Sequence, residues 1–346
     1  MSIFDNYLLS TILLSFIGFL VISFLRPIFL KFNLVDIPSN YKMHDNPVPK
    51  GFGLIFNIFL FLIFYIYKVE ITLNNDVLIP RFWFLFSGFI ILTIVSFVDD
   101  FNEINPKIKL YFQIIIIYLS TSTLPINSHI IINENFFSFY IPFKIVDIFL
   151  IFIWIFIINI SNFYDGLDRN LFINLLGISS GFLMLSYLNN ENDSFYFISL
   201  TLVIFSIFGL LNYFKFNRFF LGDSGSIPIG YLLGWLFIIA LYKNYFFELC
   251  FLFSVMIIDV TSVLLTKIIK KQNIFVRHND FLFHQLYIYL KKRILIHNLI
   301  YLLIYILINI SLYLYIIKSN LMFLPLALFA LYIVPVFLNI RRIFNS

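Results

Sequence analysis

Charged residues are scarce in this sequence. Of its 346 residues, only 12% are Asp, Glu, Lys or Arg, whereas 61% are hydrophobic. A soluble domain has about 25% charged residues, so a soluble fold of this length could not cover itself with so little charge. The shortage of charge excludes an ordinary soluble globular protein and predicts that lipid is the main solvent.

Cysteine is nearly absent, and the sequence has no typical cleavable signal peptide. The single cysteine, Cys250, excludes an intramolecular disulfide bond. Residues 1–6 include Asp5 and no basic residue, and the apolar run 7–30 is too long for the core of a signal peptide. We therefore expect this run to be the first membrane span.

Long apolar runs make up most of the chain. A helix needs about 20 apolar residues to cross a bilayer, and on this criterion the sequence predicts an all-α polytopic membrane protein with about 11 transmembrane helices. Residues 1–346 form one membrane domain in this interpretation. The predicted spans are 7–30, 51–67, 82–98, 110–124, 145–162, 171–188, 195–213, 226–242, 246–268, 298–317 and 321–340.

The distribution of basic residues predicts the orientation of these spans. Loops rich in Lys and Arg remain in the cytoplasm. An arrangement with the N-terminus outside and the C-terminus inside leaves few of the 23 basic residues outside, namely Lys68, Arg81, Lys144, Lys243 and Lys318. In the outer loop 125–144, apolar runs flank an Asn-rich turn, which predicts a small hairpin at the outer face.

Two adjacent carboxylates mark the inner end of one predicted span. Asp99 and Asp100 follow the run 82–98, and Lys107 comes shortly after them. Adjacent carboxylates repel each other unless a proton or a cation relieves the repulsion. Mg²⁺ prefers carboxylate oxygens and leaves coordination positions for phosphate groups. The pair indicates a magnesium and phosphate site, with two solvated acids at a helix end as the alternative.

A second inner loop combines amides with acids. Asn159 and Asn162 are three residues apart, so they share a face if the helix continues. Asp165 and Asp168 repeat this spacing. Polar amides in an apolar span are costly unless they are used. We interpret this segment as a ligand site; a helix end followed by an Asp-Gly turn is the alternative.

Glycines surround the acid of a third inner loop. In the segment 222–226, Gly-Asp-Ser-Gly-Ser, backbone N–H groups can approach an anion at the start of the next helix. Asp223 in that position fits a metal ion bound to the anion. The alternative is a loop in which a serine caps the helix.

The first and last inner loops carry basic and histidine residues that could contact a polar ligand. In the first loop they are Lys42, His44 and Lys50, among prolines and glycines. In the last loop they are Arg277, His278 and His284. An ordinary basic inner loop is the alternative for the first group, and solvated side chains are the alternative for the second.

In order, spacing and shared membrane side, these five loops resemble the polyprenyl-phosphate N-acetylhexosamine-1-phosphate transferases of glycosyltransferase family 4. That family includes the phospho-N-acetylmuramoyl-pentapeptide translocase and the enzymes that start O-antigen, common-antigen and teichoic-acid chains. The resemblance extends over residues 36–284. Eleven spans with the N-terminus outside agree with the second, non-peptidoglycan branch.

The resemblance implies a reaction, a cofactor and a location. A sugar-1-phosphate, in this branch from an N-acetylated amino sugar, would pass from a UDP-sugar to undecaprenyl or another polyprenyl phosphate, with release of UMP. The product would start a cell-surface glycan such as the O-antigen of lipopolysaccharide. Mg²⁺ would be the cofactor, with Mn²⁺ as a substitute. The active site would face the cytoplasm from a bacterial inner membrane. Membrane lipid would surround the chain, and a homodimer is one possible assembly. No nucleic-acid partner is expected.

The resemblance also implies roles for individual residues. Asp223 would bind the metal. Asp99 is the candidate base, Asp100 would position metal or lipid phosphate, and Lys107 would act as a point charge. The expected substrate-binding residues are Lys42, His44, Lys50, Asn159, Asn162, Asp165, Asp168, Arg277, His278 and His284.

Three departures from the family pattern concern donor binding and activity. Arg169 follows Asp168 where the family has a second Asp-Gly, and residues 212–218 read Asn-Tyr-Phe-Lys-Phe-Asn-Arg where the family usually has an Asn and Pro-Ala. The last loop also lacks the run of adjacent histidines of the peptidoglycan branch. A peptidoglycan-type transferase, a proton-coupled transporter and an inactive scaffold remain as alternatives. The donor sugar and the glycan pathway stay open.

Overall fold

The computed structural model of the protein describes residues 3–32, 34–37, 47–66, 79–102, 104–121, 129–134, 137–190, 194–211, 219–272 and 281–318. Within these ranges the chain is mainly helical. The helices are α1 (Ile3–Lys31), α2 (Gly53–Ile66), α3 (Ile79–Phe101), α4 (Pro106–Thr121), α5 (Phe143–Tyr164), α6 (Asn170–Leu188), α7 (Ser194–Leu211), α8 (Asp223–Tyr242), α9 (Phe246–Leu252), α10 (Ser254–Ile269), α11 (Leu282–Tyr289) and α12 (Ile294–Ile316).

The helices confirm a multi-pass membrane protein. Six described helices, α1, α3, α6, α7, α8 and α12, are long and apolar enough to cross a membrane, and a bent pair, α9 with α10, would make a seventh. The helices α2 and α4 are shorter than a full span, with 14 and 16 residues. The predicted span 321–340 lies outside the described residues. The count of about 11 spans and the orientation therefore remain predictions.

One predicted span is bent. The sequence predicts a span over 246–268, and the two helices that cover it, α9 and α10, meet at an angle of 70°. Phe253 lies at the break and is buried. Its ring packs against Phe182 and Phe237, with ring centroids 6.0 and 5.0 Å apart. We attribute the bend to this packing, since the segment contains no proline or glycine that could kink a helix.

Two short antiparallel pairs of strands interrupt the helical pattern. Strands β1 (Val35–Asp36) and β2 (Val48–Pro49) pair beside the end of α1. Strands β3 (His129–Glu134) and β4 (Phe137–Pro142) form a hairpin between α4 and α5. This hairpin lies within the loop 125–144, where the sequence predicts one. Its location at the outer face of the membrane remains a prediction.

Helix α8 is the centre of the bundle and is almost entirely buried. It packs against α2, α3 and α5. Close contact with α5 depends on a glycine, because a Cβ atom on Gly234 would lie 2.1 Å from the ring of Trp154. The Trp154 indole donates a hydrogen bond to the carbonyl oxygen of Tyr231, with a distance of 2.8 Å. These contacts hold the middle of α8 against the middle of α5.

Candidate active site

The turn that leads into α8 is fixed by backbone hydrogen bonds to the segment before α2. The Phe220 N–H donates to the Pro49 carbonyl at 2.8 Å, and the Gly53 N–H donates to the Leu221 carbonyl at 2.9 Å. Gly222 has a φ of 73°, a left-handed conformation that favours glycine. Residues 49–53 and residues 220–222 therefore form one unit.

Two glycines let α2 and α8 meet backbone to backbone. A Cβ atom on Gly53 would lie 2.1 Å from the backbone nitrogen of Gly225. The Asn57 amide strengthens this contact by donating to the Ser224 carbonyl at 2.7 Å and to the Thr93 hydroxyl at 3.1 Å. The contact holds the N-terminus of α8 beside the end of α3, which carries the aspartate pair.

Asp100 accepts hydrogen bonds from the first backbone N–H groups of α8. Its Oδ1 accepts from the Asp223 N–H at 3.1 Å and its Oδ2 from the Ser224 N–H at 3.0 Å. A Cβ atom on Gly222 would lie 2.6 Å from both carboxylate oxygens. A carboxylate is favourable at a helix N-terminus. Asp100 therefore fixes the turn that presents Asp223.

Lys109 of α4 joins two of the carboxylates. Its Nζ donates to Asp99 Oδ2 at 2.6 Å and to Asp223 Oδ2 at 2.5 Å. The other oxygen of Asp99 accepts from the Ile104 N–H at 2.7 Å. Burial lowers the pKa of the Lys109 ammonium, but the carboxylates of Asp223 and Asp99 outweigh that effect and raise it. Lys109 is therefore protonated at neutral pH.

The loop after α5 supplies a fourth carboxylate. The Asp165 Oδ2 accepts from the Gly222 N–H at 3.0 Å. Removal from water raises the pKa of Asp165 well above its usual range; the Gly222 N–H opposes this increase, and the carboxylates of Asp100 and Asp223 add to it. Asn162 lies one turn earlier and accepts a hydrogen bond from the Ser226 hydroxyl at 2.8 Å. Four acids from three different segments thus converge on the start of α8.

This acid cluster, defined as Asp99, Asp100, Asp165 and Asp223, carries an excess of negative charge. Lys109 contacts two of its members, and Lys50 interacts electrostatically with Asp100. Among the described residues, no group of three or more His, Cys, Asp or Glu side chains is arranged so that it could coordinate a metal ion. Mg²⁺ is often held by only one or two carboxylates together with substrate phosphates. The cluster fits that mode of binding and does not fit a site made of protein ligands alone.

The structure separates Lys107 from the acid cluster. Lys107 is exposed, and its backbone N–H bonds to the Asn105 side chain. Lys109, which the sequence did not single out, is the lysine of this helix that bonds to Asp99 and Asp223. The two lysines lie on one helix, and residues two positions apart do not face the same side. The spacing could have indicated that only one of them faces the acids.

Three other predicted residues make contacts outside the acid cluster. The Asn159 amide donates to the Ile155 carbonyl of its own helix at 2.8 Å. Asp168 is buried, and its carbonyl oxygen accepts from Asn298 at 3.5 Å. His284 is buried beside the Asp-Gly turn, where its Nε2 would lie 3.8 Å from a Cβ atom on Gly166. The predicted residues that lie outside the described part of the chain are Lys42, His44, Arg277 and His278.

A small cleft opens on one side of the cluster. Asp165 and Arg169 lie on its wall together with aromatic residues, among them Phe172, Phe219 and Phe220. Arg169 has a φ of 66°, a conformation that is uncommon for a residue other than glycine. The position where the family has glycine therefore keeps a glycine-like backbone here while it carries a guanidinium.

Comparison with known proteins identifies the family. The family described as "Glycosyl transferase family 4" matches residues 82–241, which include all four acids of the cluster. A "Phospho-N-acetylmuramoyl-pentapeptide-transferase" of Prochlorococcus marinus (strain MIT 9312) is 31% identical over 68% of this chain and 67% of its own length.

Two further relatives are similar over longer stretches. A "Probable undecaprenyl-phosphate N-acetylglucosaminyl 1-phosphate transferase" of Bacillus subtilis (strain 168) is 25% identical over 82% of this chain and 78% of its own length. A "Phospho-N-acetylmuramoyl-pentapeptide-transferase" of Streptococcus agalactiae serotype Ia is 26% identical over 74% of this chain and 80% of its own length. These matches confirm the resemblance drawn from the loop motifs, and the chain belongs to glycosyl transferase family 4.

Proposed function

We propose that this protein transfers a sugar-1-phosphate from a UDP-sugar to a polyprenyl phosphate in the membrane. The observation that carries the proposal is the convergence of Asp99, Asp100, Asp165 and Asp223 at the ends of membrane helices. The names of the relatives support the same reaction class. An acid cluster at the membrane boundary suits a reaction between a lipid phosphate and a soluble nucleotide.

In this reaction an oxygen of the lipid phosphate attacks the sugar-linked phosphorus of the donor. The bond between the two donor phosphates breaks, UMP leaves, and a lipid diphosphate sugar forms. Because two anions must approach each other, the main requirement is neutralisation of negative charge. A phosphate monoester has a second pKa of about 6, so the lipid phosphate is mostly a dianion at neutral pH. Asp99 is the candidate base, but direct attack by the dianion does not need one.

Each residue of the site has its own role in the proposed mechanism. Asp100 holds the turn 222–224, so Asp223 is presented at a fixed place. Asp223 would hold Mg²⁺, which when bound would neutralise the donor diphosphate. Lys109 provides a positive charge directly beside Asp99 and Asp223. Asn162 and Asp165 lie on the donor side of the site in this assignment.

The test is transfer from radiolabelled UDP-sugars into the lipid fraction of membranes that contain the protein. We expect transfer in Mg²⁺ or Mn²⁺ and none in excess EDTA. Asp223→Asn should reduce transfer at least about 100-fold, since loss of one charge-stabilising group in an active site costs about that much. Glu248→Gln, which removes an acid from α9, is the matched control and should transfer like the wild type. Full transfer in EDTA would contradict the metal-dependent mechanism.

Testing several UDP-sugars as a panel of donors also distinguishes two related activities. We propose UDP-N-acetylated amino sugars as donors, so UDP-N-acetylglucosamine is the first member of the panel. The names of several relatives favour UDP-N-acetylmuramoyl-pentapeptide as the second member. Transfer from the pentapeptide donor alone would assign the protein to peptidoglycan synthesis instead of the start of another surface glycan, such as O-antigen.

A further inference from the structure

Asp259 is a buried acid that the proposed chemistry does not use. It lies in α10, has 1% of its surface exposed, and belongs to none of the sequence motifs. Its Oδ2 accepts a hydrogen bond from the Tyr164 hydroxyl at 3.0 Å. Its Oδ1 accepts from the Leu282 backbone N–H at 2.6 Å. A single carboxylate thus connects the end of α5 with the start of α11.

Each of the two connected residues lies one or two positions before a predicted substrate-binding residue. Tyr164 precedes Asp165, whose carboxylate bonds to the Gly222 N–H. Leu282 lies two positions before His284, which is buried beside the Asp-Gly turn. The two chains of contacts that start at Asp259 therefore end at the same Asp-Gly turn.

Aromatic packing supports the same junction. The rings of Tyr164 and Phe283 have centroids 4.7 Å apart, and those of Phe163 and Phe281 are 5.3 Å apart. These contacts bring α5 and α11 together but do not fix their relative rotation, because apolar contacts are not directional. The two hydrogen bonds of Asp259 are directional and can fix it.

We propose that Asp259 is a positioning residue for the donor site, acting through Tyr164 on Asp165 and through Leu282 on His284. The proposal rests on the proposed function, because it assigns Asp165 and His284 to one donor. In this arrangement the start of α11 and the Asp-Gly turn act on the donor as one unit. Asp259 itself touches no substrate.

The chemistry of the carboxylate suggests the most informative substitution. An ionised carboxylate accepts at both oxygens, whereas an amide accepts at one atom and donates at the other. In Asp259→Asn, the amide oxygen would accept from the Leu282 N–H, which can only donate, and the NH₂ would face the Tyr164 hydroxyl, which can also accept. Both hydrogen bonds would then join neutral groups, whereas hydrogen bonds to an ionised carboxylate are about twice as strong. Both connections therefore weaken while the side-chain volume stays almost the same.

The kinetic test measures KM for the donor and for the lipid acceptor separately. We expect Asp259→Asn and Tyr164→Phe to raise the donor KM about tenfold, which corresponds to ~1.4 kcal/mol, and to leave the acceptor KM unchanged. The matched control is Tyr7→Phe, which also removes a buried tyrosine hydroxyl, one that donates to the Phe197 carbonyl at 3.0 Å. Its donor KM should stay at the wild-type value. An unchanged donor KM in Asp259→Asn, or an equal rise for both substrates, would overturn the proposal.

A second measurement does not depend on activity. With Cys250→Ala as the background, cysteines replace Phe163 and Phe281, and the rate of disulfide formation between them is measured with and without Asp259→Asn. We expect the Asp259→Asn substitution to slow disulfide formation severalfold, and an unchanged rate would overturn the proposed connection. If the wild type transfers no sugar phosphate from any donor, the proposed function fails, and this rate still decides whether Asp259 holds the two segments together.

Discussion

Lys107 and Lys109 provide a matched pair at the scale of single residues. They carry the same charge on the same helix, but only Lys109 touches Asp99 and Asp223. We expect Lys109→Met to reduce transfer about 100-fold, the cost of losing one charge-stabilising group in an active site. Lys107→Met should stay within about twofold of the wild type, since exposed residues away from a site contribute little.

The measurement is turnover of the labelled donor in membranes that contain equal amounts of each variant. Lys109→Arg is a further control, because it keeps the charge but changes the geometry of donation. Partial activity in Lys109→Arg would indicate that charge matters more than shape. Greater loss of turnover in Lys107→Met than in Lys109→Met would contradict the role drawn from the structure.

The two lysines show which features of single residues the sequence alone does not predict. The sequence predicts acids in several loops on one side of the membrane, and the structure brings four of them together at the start of α8. The sequence could not decide between Lys107 and Lys109, since this depends on how α4 is rotated relative to α8. The same limit applies to Asn159 and Asn162. Asn159 and Asn162 are three residues apart on α5, but only Asn162 bonds to α8, through Ser226.

At the scale of elements, the crossing of α2 and α8 decides whether the site can assemble. Gly53→Ala would place a methyl group 2.1 Å from the Gly225 backbone nitrogen, and backbone cannot move aside as a side chain can. We expect this variant to lose stability by a few kcal/mol, the range for overpacking in a core. The midpoint of thermal unfolding in detergent should fall accordingly, and transfer should be lost.

Gly18→Ala is the matched control for this prediction. Gly18 also lies in an apolar helix, but the nearest atom to its added Cβ would be a ring carbon of Phe59, 3.0 Å away. A ring at the end of a side chain can shift, so we expect a small change in the unfolding midpoint. Equal destabilisation by the two substitutions would show that the crossing is not especially tight.

Elements differ in how well the sequence predicts them. The hairpin of β3 and β4 follows from local signals, namely two apolar runs around an Asn-rich turn. The 70° bend between α9 and α10 does not, because a bent helix and a straight one have the same apolar composition. The bend depends on Phe253 packing against rings that lie more than 15 residues away in the chain. It also directs α10 so that Asp259 reaches α11.

At the scale of the whole molecule, the acid cluster and the far ends of its helices lie on opposite sides of the bundle. Helix α8 begins at Asp223 and has 20 residues, so its other end is about 30 Å away at 1.5 Å per residue. That length equals the thickness of the hydrocarbon core of a bilayer. Residues beyond the end of α8 should therefore face the compartment opposite to the acid cluster.

This geometry makes the orientation testable without any activity. Asn244 is exposed in the turn after α8, and Lys292 is exposed in the turn before α12. The second turn lies at the end of the bundle that carries the cluster, because Asn298 of α12 bonds to the Asp168 carbonyl. If Lys and Arg remain in the cytoplasm, as the sequence predicts, Asn244 lies outside and Lys292 inside.

We therefore predict opposite labelling of two single-cysteine variants in a Cys250→Ala background. Asn244→Cys in intact cells should react with a membrane-impermeant thiol reagent, and Lys292→Cys should react only after the membrane is opened. The Cys250→Ala protein without an added cysteine gives the background level of labelling. Because both positions are exposed, a difference in reaction reflects the compartment and not burial. Labelling of Lys292→Cys alone in intact cells would place the acid cluster outside, where cytoplasmic UDP-sugars cannot reach it, and the proposed reaction would then be excluded together with the orientation.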